Sequence, residues 1–136
     1  MRVIISVVLG IIFGGFFIAF GEIVVHSLFP SDLPLPTNAF ERSTFVAQTS
    51  TFQLVLVLMG WAIAAFVAAS VTTFIQGRTE WKPMLITVSI LQLFAYMNMF
   101  MIPHPGWMWA TATFLFIPIG FINYFLIRKR KKDELI

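Results

Sequence analysis

The sequence predicts an all-α fold: an integral membrane bundle of four transmembrane helices with both termini cytoplasmic. Three observations carry that prediction. Of the 136 residues, 59% are hydrophobic and 11% charged, where an ordinary soluble domain carries roughly 25% charged residues. The apolar residues fall in long blocks with no polar face, in place of the alternation that a water-facing element needs. Four such blocks occur, at 3–25, 51–75, 84–102 and 107–127, each close to the roughly 20 residues a helix needs to cross about 30 Å of hydrocarbon. Lipid satisfies no backbone N–H or C=O and so few segments close no barrel, which leaves helices. The chain is read as one domain over 1–136.

The first block follows Arg2 and is longer than the roughly 7–15 residues of a signal-peptide core. With no A-x-A site after it, it is expected to stay as a span. Gly10 and Gly14 lie four residues apart on it and suit close helix approach. Gly15, Ala19, Glu22 and His26 share a second face at spacings of four, three and four, and are expected to point toward another helix.

The loop over 26–50 opens FPSDLPLPTN, where Pro30, Pro34 and Pro36 favour an extended path. NAFERSTFVAQ then predicts a short helix with Asn38 as N-cap and Glu41 at N3, laying Phe40 and Phe45 on the bilayer surface. In the second span Gly60, Ala64 and Ala68 repeat every four residues as a packing stripe. The connections QGRTEWKP and PHPG are short, so spans two, three and four are expected to be sequential antiparallel neighbours.

Gln92 and Tyr96 sit four apart on the third span, placed to line a path or to tie helices. Trp107 and Trp109 open the fourth as interfacial anchors. Pro118 removes a helical hydrogen bond and crowds the Phe114 carbonyl, which predicts a kink. Thr72, Thr73, Ser89 and Asn123 are expected to serve as hydrogen bonds between helices. The closing KKDELI resembles an endoplasmic-reticulum retrieval signal, but Ile136 follows the leucine where that signal must be terminal; it is read as the end of a basic tail over 128–136.

Arg2, Arg78, Lys82, Arg128, Lys129, Arg130, Lys131 and Lys132 fall on one side of these spans, and Arg42 alone of the nine basic residues on the other. The positive-inside rule then puts both termini in the cytoplasm. Arg128, Lys129, Arg130, Lys131 and Lys132 are placed to meet anionic lipid heads. The basic run has no aromatic interleaving, so nucleic acid is not an expected partner. The chain has no cysteine, which removes disulfides, thiolate nucleophiles and Cys-ligated zinc. No nucleophile elbow, phosphate-binding glycine loop or dinucleotide fingerprint occurs.

Side chains capable of chemistry concentrate at one depth: Glu22 and His26 on the first span, Gln53 on the second, Asn98 on the third and His104 in the following turn. Three readings of this layer stay open. Glu22, His26 and His104 supply a carboxylate and two imidazoles, a ligand set that suits zinc or ferrous iron. Alternatively, Glu22 bonds Asn98, Gln53 or His26 and only holds the bundle together, since an unpaired carboxylate in lipid is expensive. In the third reading, Glu22 and His26 line a small polar cavity that takes a proton-coupled solute or a lipid head.

The pieces GEIVVHSLFPSDLPLP, LMGWAIAAFVAA and NMFMIPHPGWMW together resemble a group of small uncharacterised bacterial inner-membrane proteins with four predicted spans. The resemblance implies the four-span fold and the same polar layer, namely Glu22, His26, the proline-rich loop, Asn98 and the Pro103-His104-Pro105 turn, without implying a reaction. Where such relatives often carry an acidic stretch after the prolines, this chain has TNAFERSTF.

The expectation is a multi-pass protein of a bacterial cytoplasmic membrane, more a binder than an enzyme. It would bind or pass a small solute, ion or lipid through this layer as a homo-oligomer, with no required cofactor. A non-catalytic scaffold or accessory subunit of a membrane complex, and a metal-dependent membrane enzyme holding zinc or iron, are the alternatives.

Overall fold

The computed structural model describes residues 1–30, 36–77 and 80–133, with backbone only for 130–133. Pro34 of the proline-rich loop, Arg78 of the second turn and the last three residues of KKDELI lie outside the described residues, as do the side chains of Arg130, Lys131 and Lys132. Within the described residues the chain is entirely helical: α1 (Arg2–Leu28), α2 (Ala39–Gln48), α3 (Thr51–Gln76), α4 (Lys82–Met101), α5 (Gly106–Thr113) and α6 (Phe116–Asp133). Four stretches are long and apolar enough to cross a membrane: α1, α3, α4, and α5 with α6 taken together over Gly106–Lys129.

Local chemistry sets the helix ends. Asn38 Oδ1 accepts from the Glu41 backbone N–H at 2.9 Å, as an N-cap does. The Glu41 carboxylate reaches one residue further back than the usual reciprocal cap. It accepts from the Thr37 backbone N–H at 2.7 Å, the Thr37 hydroxyl at 2.9 Å and Asn38 Nδ2 at 2.8 Å. Those donors, the Thr37 N–H first, hold the Glu41 carboxyl below the ordinary carboxylate range. Ser50 and Gln53 form a full capping box at the start of α3. Gly77 ends α3 at φ 98°, a left-handed conformation that favours glycine. Arg2 Nε donates to the Ile75 carbonyl at 2.7 Å, placing a cation at the negative end of the α3 dipole.

Phe40 is exposed but Phe45 is half-buried, its ring 6.1 Å from that of His26. Five residues along a helix turn through about 140°, so the two rings cannot share one surface.

The fourth apolar stretch is broken where Pro118 predicts a kink. Phe114 and Leu115 leave the helical ladder, their N–H groups donating instead to the Thr111 and Ala112 carbonyls at 3.1 and 3.3 Å. Regular bonding resumes with Ile119 N–H to the Leu115 carbonyl at 3.2 Å. Pro118 has no N–H for the Phe114 carbonyl.

In the packed bundle α3 and α4 share the centre: each touches α1 on one flank and α6 on the other. The expected sequential neighbours are in contact, and α3 also meets α6. Ala64, Ala65, Ala68, Ala69, Met84, Val88, Leu91, Met108, Ala112 and Phe116 are fully buried along these seams. The alanines among them bring backbones close. Ala68 Cβ lies 3.0 Å from where a Gly14 methyl would stand, and the Ala68 carbonyl oxygen 3.0 Å from one at Gly10.

The face of α1 that packs inward is Ser6, Gly10, Gly14, Gly21 and Val25. This corrects the expected stripe of Gly15, Ala19, Glu22 and His26: Gly15 has open space around it, and Ala19 and His26 are exposed. The inward face lies one residue back, about 100° around the helix, and Glu22 sits at its edge.

Candidate functional site

Glu22 lies well inside α1 and is half-buried. Its position follows from the helix crossing beside it. Gly21 of α1 opposes Gly60 of α3 so closely that a methyl on Gly21 would stand 3.5 Å from Gly60 Cα. The next residues, Glu22 and Trp61, are thereby brought side by side, and the indole Nε1–H donates to Glu22 Oε1 at 3.3 Å. Trp61 is almost completely buried, with its ring centroid 6.3 Å from that of Phe116 on α6. One indole thus connects the α1 carboxylate, through α3, to the helix that follows the break.

The other expected members of the layer have separate partners. His26 is exposed beside Phe45. Gln53 Oε1 accepts from the Ser50 backbone and hydroxyl, both at 3.0 Å, while Nε2 donates to the Phe29 carbonyl at 3.3 Å. It therefore caps α3 and ties the end of α1 to it. His104 Nδ1 pairs with the Ile102 carbonyl inside its own turn. Asn98 is half-buried, and its carbonyl accepts from Ile102 N–H at 3.0 Å near the end of α4. Leu91 and Ala68 both pack on Gly14, and counting seven residues in opposite directions from them puts Asn98 at about the height of Trp61.

Among the described residues no hydrogen bond joins any two of Glu22, His26, Gln53, Asn98 and His104, and Gln53 stands about 12 Å along α3 from Trp61, the partner of Glu22. No three His, Asp or Glu side chains among the described residues gather as metal ligands.

Sequence reasoning passed over Trp61 as the partner of Glu22, though a signal was present. An indole N–H ten residues into an apolar helix has no water to bond and needs an acceptor at its own depth. Glu22, six residues from the end of the antiparallel α1, is near that depth.

A second polar group ties α1, α3 and α4 closer to the end bearing the N-terminus. Thr72 Oγ1 reaches the Ser6 carbonyl at 3.2 Å and Thr87 Oγ1 at 3.0 Å, and the Thr87 hydroxyl bonds the Pro83 carbonyl at 3.0 Å. Between α3 and α6, Asn123 Nδ2 donates to Ser70 Oγ at 2.7 Å. Thr72, Thr87 and Asn123 are fully buried and act as ties between helices.

Comparison with models of known protein families, with curated proteins and with solved structures gives no match.

Proposed function

We propose that the chain is a multi-pass protein of a bacterial cytoplasmic membrane, both termini cytoplasmic, that binds or passes a small solute, ion or lipid at Glu22. Four long apolar helices support the membrane setting. Chain alternation supports the orientation, because it sets Arg2, Lys82, Arg128 and Lys129 at one end of the bundle.

The observation that carries the reading is the Glu22 carboxylate, half-buried inside an apolar helix and served by one indole N–H at 3.3 Å. A carboxylate accepts at about four lone-pair sites, and in an apolar medium one donor does not compensate its lost hydration. A proton, a cation or a ligand N–H or O–H at the same carboxylate makes up the difference. His26, one turn further along and exposed, offers a second polar group on the approach.

The test is flux or binding in liposomes. Protein bearing wild-type Glu22 takes up protons or solute under an imposed pH gradient, and Glu22→Gln abolishes the signal while keeping the fold. Equal signals from both proteins would overturn the reading.

One observation favours the accessory-subunit alternative. Gly15 and Ala19 sit on the outward side of α1, with open space over Gly15, and this admits a neighbouring helix, whether from a second copy in a homo-oligomer or from a larger partner. In that case Glu22→Gln leaves function intact and the partner co-purifies.

A further inference from the structure

The register of α1 against α4 brings a second polar side chain to the height of Glu22. A methyl at Gly10 would meet Thr87 Cγ2 at 2.9 Å, and one at Gly14 would meet Leu91 Cδ1 at 2.5 Å. The step from Gly10 to Gly14 is matched by the step from Thr87 to Leu91, so the two helices run parallel and in register. Two turns further on, close to the same faces, α1 reaches Gly21 and α4 reaches Asn98. Asn98 therefore stands opposite the turn of α1 that carries Glu22. Its half-buried side-chain amide has no hydrogen bond among the described residues, and Glu22 Oε2 has none either.

The place opens toward lipid. Ile18, one turn before Glu22, packs against the core cluster that holds Leu91 and Ala95, whereas Gly15, two turns before it on nearly the same face, has nothing within 4 Å. The 27 residues of α1 extend about 40 Å against about 30 Å of hydrocarbon, and Glu22 stands about 9 Å from the helix end. Its carboxylate thus lies just inside the boundary between hydrocarbon and head groups.

Chemistry narrows the ligand. Arg2, Lys82, Arg128 and Lys129 are at the other end of the bundle and Arg42 is on α2, outside the spans, so a counter-charge for Glu22 comes from outside the chain. A metal ion finds no second carboxylate or imidazole grouped with Glu22 among the described residues. A primary ammonium carries charge and three N–H donors, which suit Glu22 Oε2 and Asn98 Oδ1 together. A quaternary ammonium has the charge without the donors, and an alcohol has a donor without the charge. An alkyl chain on the ammonium has a free run over Gly15 toward the middle of the bilayer.

We infer that Glu22 and Asn98 together hold the head of an amphipathic primary amine whose apolar chain lies along α1 over Gly15. The inference rests on the Glu22 reading above and adds to it a ligand class and a specificity-determining residue, Asn98.

The experiment is thermal unfolding of the protein in phosphatidylcholine bilayers titrated with octylammonium, octyltrimethylammonium or octanol. Octylammonium should raise Tm saturably, at concentrations about tenfold below those at which either control acts. Glu22→Gln, which still accepts from the Trp61 N–H, should lose the response. Asn98→Ala should weaken octylammonium about tenfold and remove its advantage over octyltrimethylammonium. If Asn98→Ala fails to fold, the three amphiphiles on wild type and Glu22→Gln decide. Equal responses to all three on wild type, or wild-type discrimination in Asn98→Ala, would overturn the proposal. Adding phosphatidylethanolamine separates the sources: weaker apparent octylammonium binding assigns the ammonium to a lipid head, unchanged binding to a free amine, and both support the site. Binding is read here without a pH gradient, so the two readings fail separately. Glu22-dependent uptake without octylammonium binding would sink this inference alone, while Glu22-dependent octylammonium binding without uptake would support it and restrict the protein to binding.

Discussion

The side-chain oxygens of Thr72 and Thr87 stand 3.0 Å apart at the junction of α1, α3 and α4, with two hydroxyl hydrogens to serve three contacts. Because the two groups share one bond, their losses should not add. Thr72→Val and Thr87→Val should each cost about 1 kcal/mol, while the double valine variant should cost less than the sum, since matched apolar replacement of both partners approaches neutrality. A double-mutant cycle by reversible unfolding in detergent measures the coupling. Strict additivity would show that the 3.0 Å contact contributes nothing.

Two glycines five residues apart on α1 should respond oppositely to one methyl. At Gly10 it meets the Thr72 hydroxyl and the Ala68 backbone oxygen, which cannot yield. Gly10→Ala should destabilise by about 1–3 kcal/mol. Gly15 has nothing within 4 Å, so Gly15→Ala should be neutral or gain up to about 1 kcal/mol from helix propensity. Paired Tm measurements check the contrast, and equal shifts would place the α1 seam on another face.

Trp61→Phe keeps the buried ring and removes its N–H, leaving the Glu22 carboxylate without the 3.3 Å donor. A loss of about 1–3 kcal/mol is expected. Adding Glu22→Leu to Trp61→Phe should recover most of it, because no polar atom is then left unmatched. Chemical unfolding of the three variants reads this directly. Failure of the second change to rescue the first would mean that the bond contributes nothing to the α1–α3 contact.

The short helix α2 should depend on pH through Glu41. Its carboxyl is held below the ordinary range by the Thr37 and Asn38 donors, so the folded pKa is depressed. The stabilisation is therefore present above the ordinary carboxylate pKa and lost as pH falls through the lowered one. Amide exchange in residues 39–48 should quicken on acidification into that range, after correction for intrinsic rates, and Glu41→Gln should flatten the dependence. An unchanged profile in Glu41→Gln would assign the pH response elsewhere.

Much of the fold was legible in the chain itself. The block at 51–75 became α3 at Thr51–Gln76, and the block at 84–102 became α4 at Lys82–Met101. Long apolar runs bounded by proline, glycine and charge leave little freedom in where helices begin and end. Asn38 capped α2, and the chain broke one turn before Pro118, because both effects act within four residues.

The candidate site was legible only in part. Glu22 stood out as a carboxylate in an apolar run, and Asn98 does fall near its depth. The tertiary structure alone decided what Glu22 touches: Trp61, through the approach of Gly21 to Gly60. His26 and His104 went instead to Phe45 and to the Ile102 carbonyl.

The sequence by itself determined that four apolar stretches are long enough to span a membrane and close to which residues they end, since length and hydropathy are properties of the chain. Rotation about each helix axis was left to the tertiary structure. An all-apolar helix has no polar face to set that angle, so it is chosen by which glycines and alanines let two backbones meet. On α1 the choice fell on Gly10, Gly14 and Gly21 rather than Gly15 and Ala19, and that rotation gave Glu22 its partner.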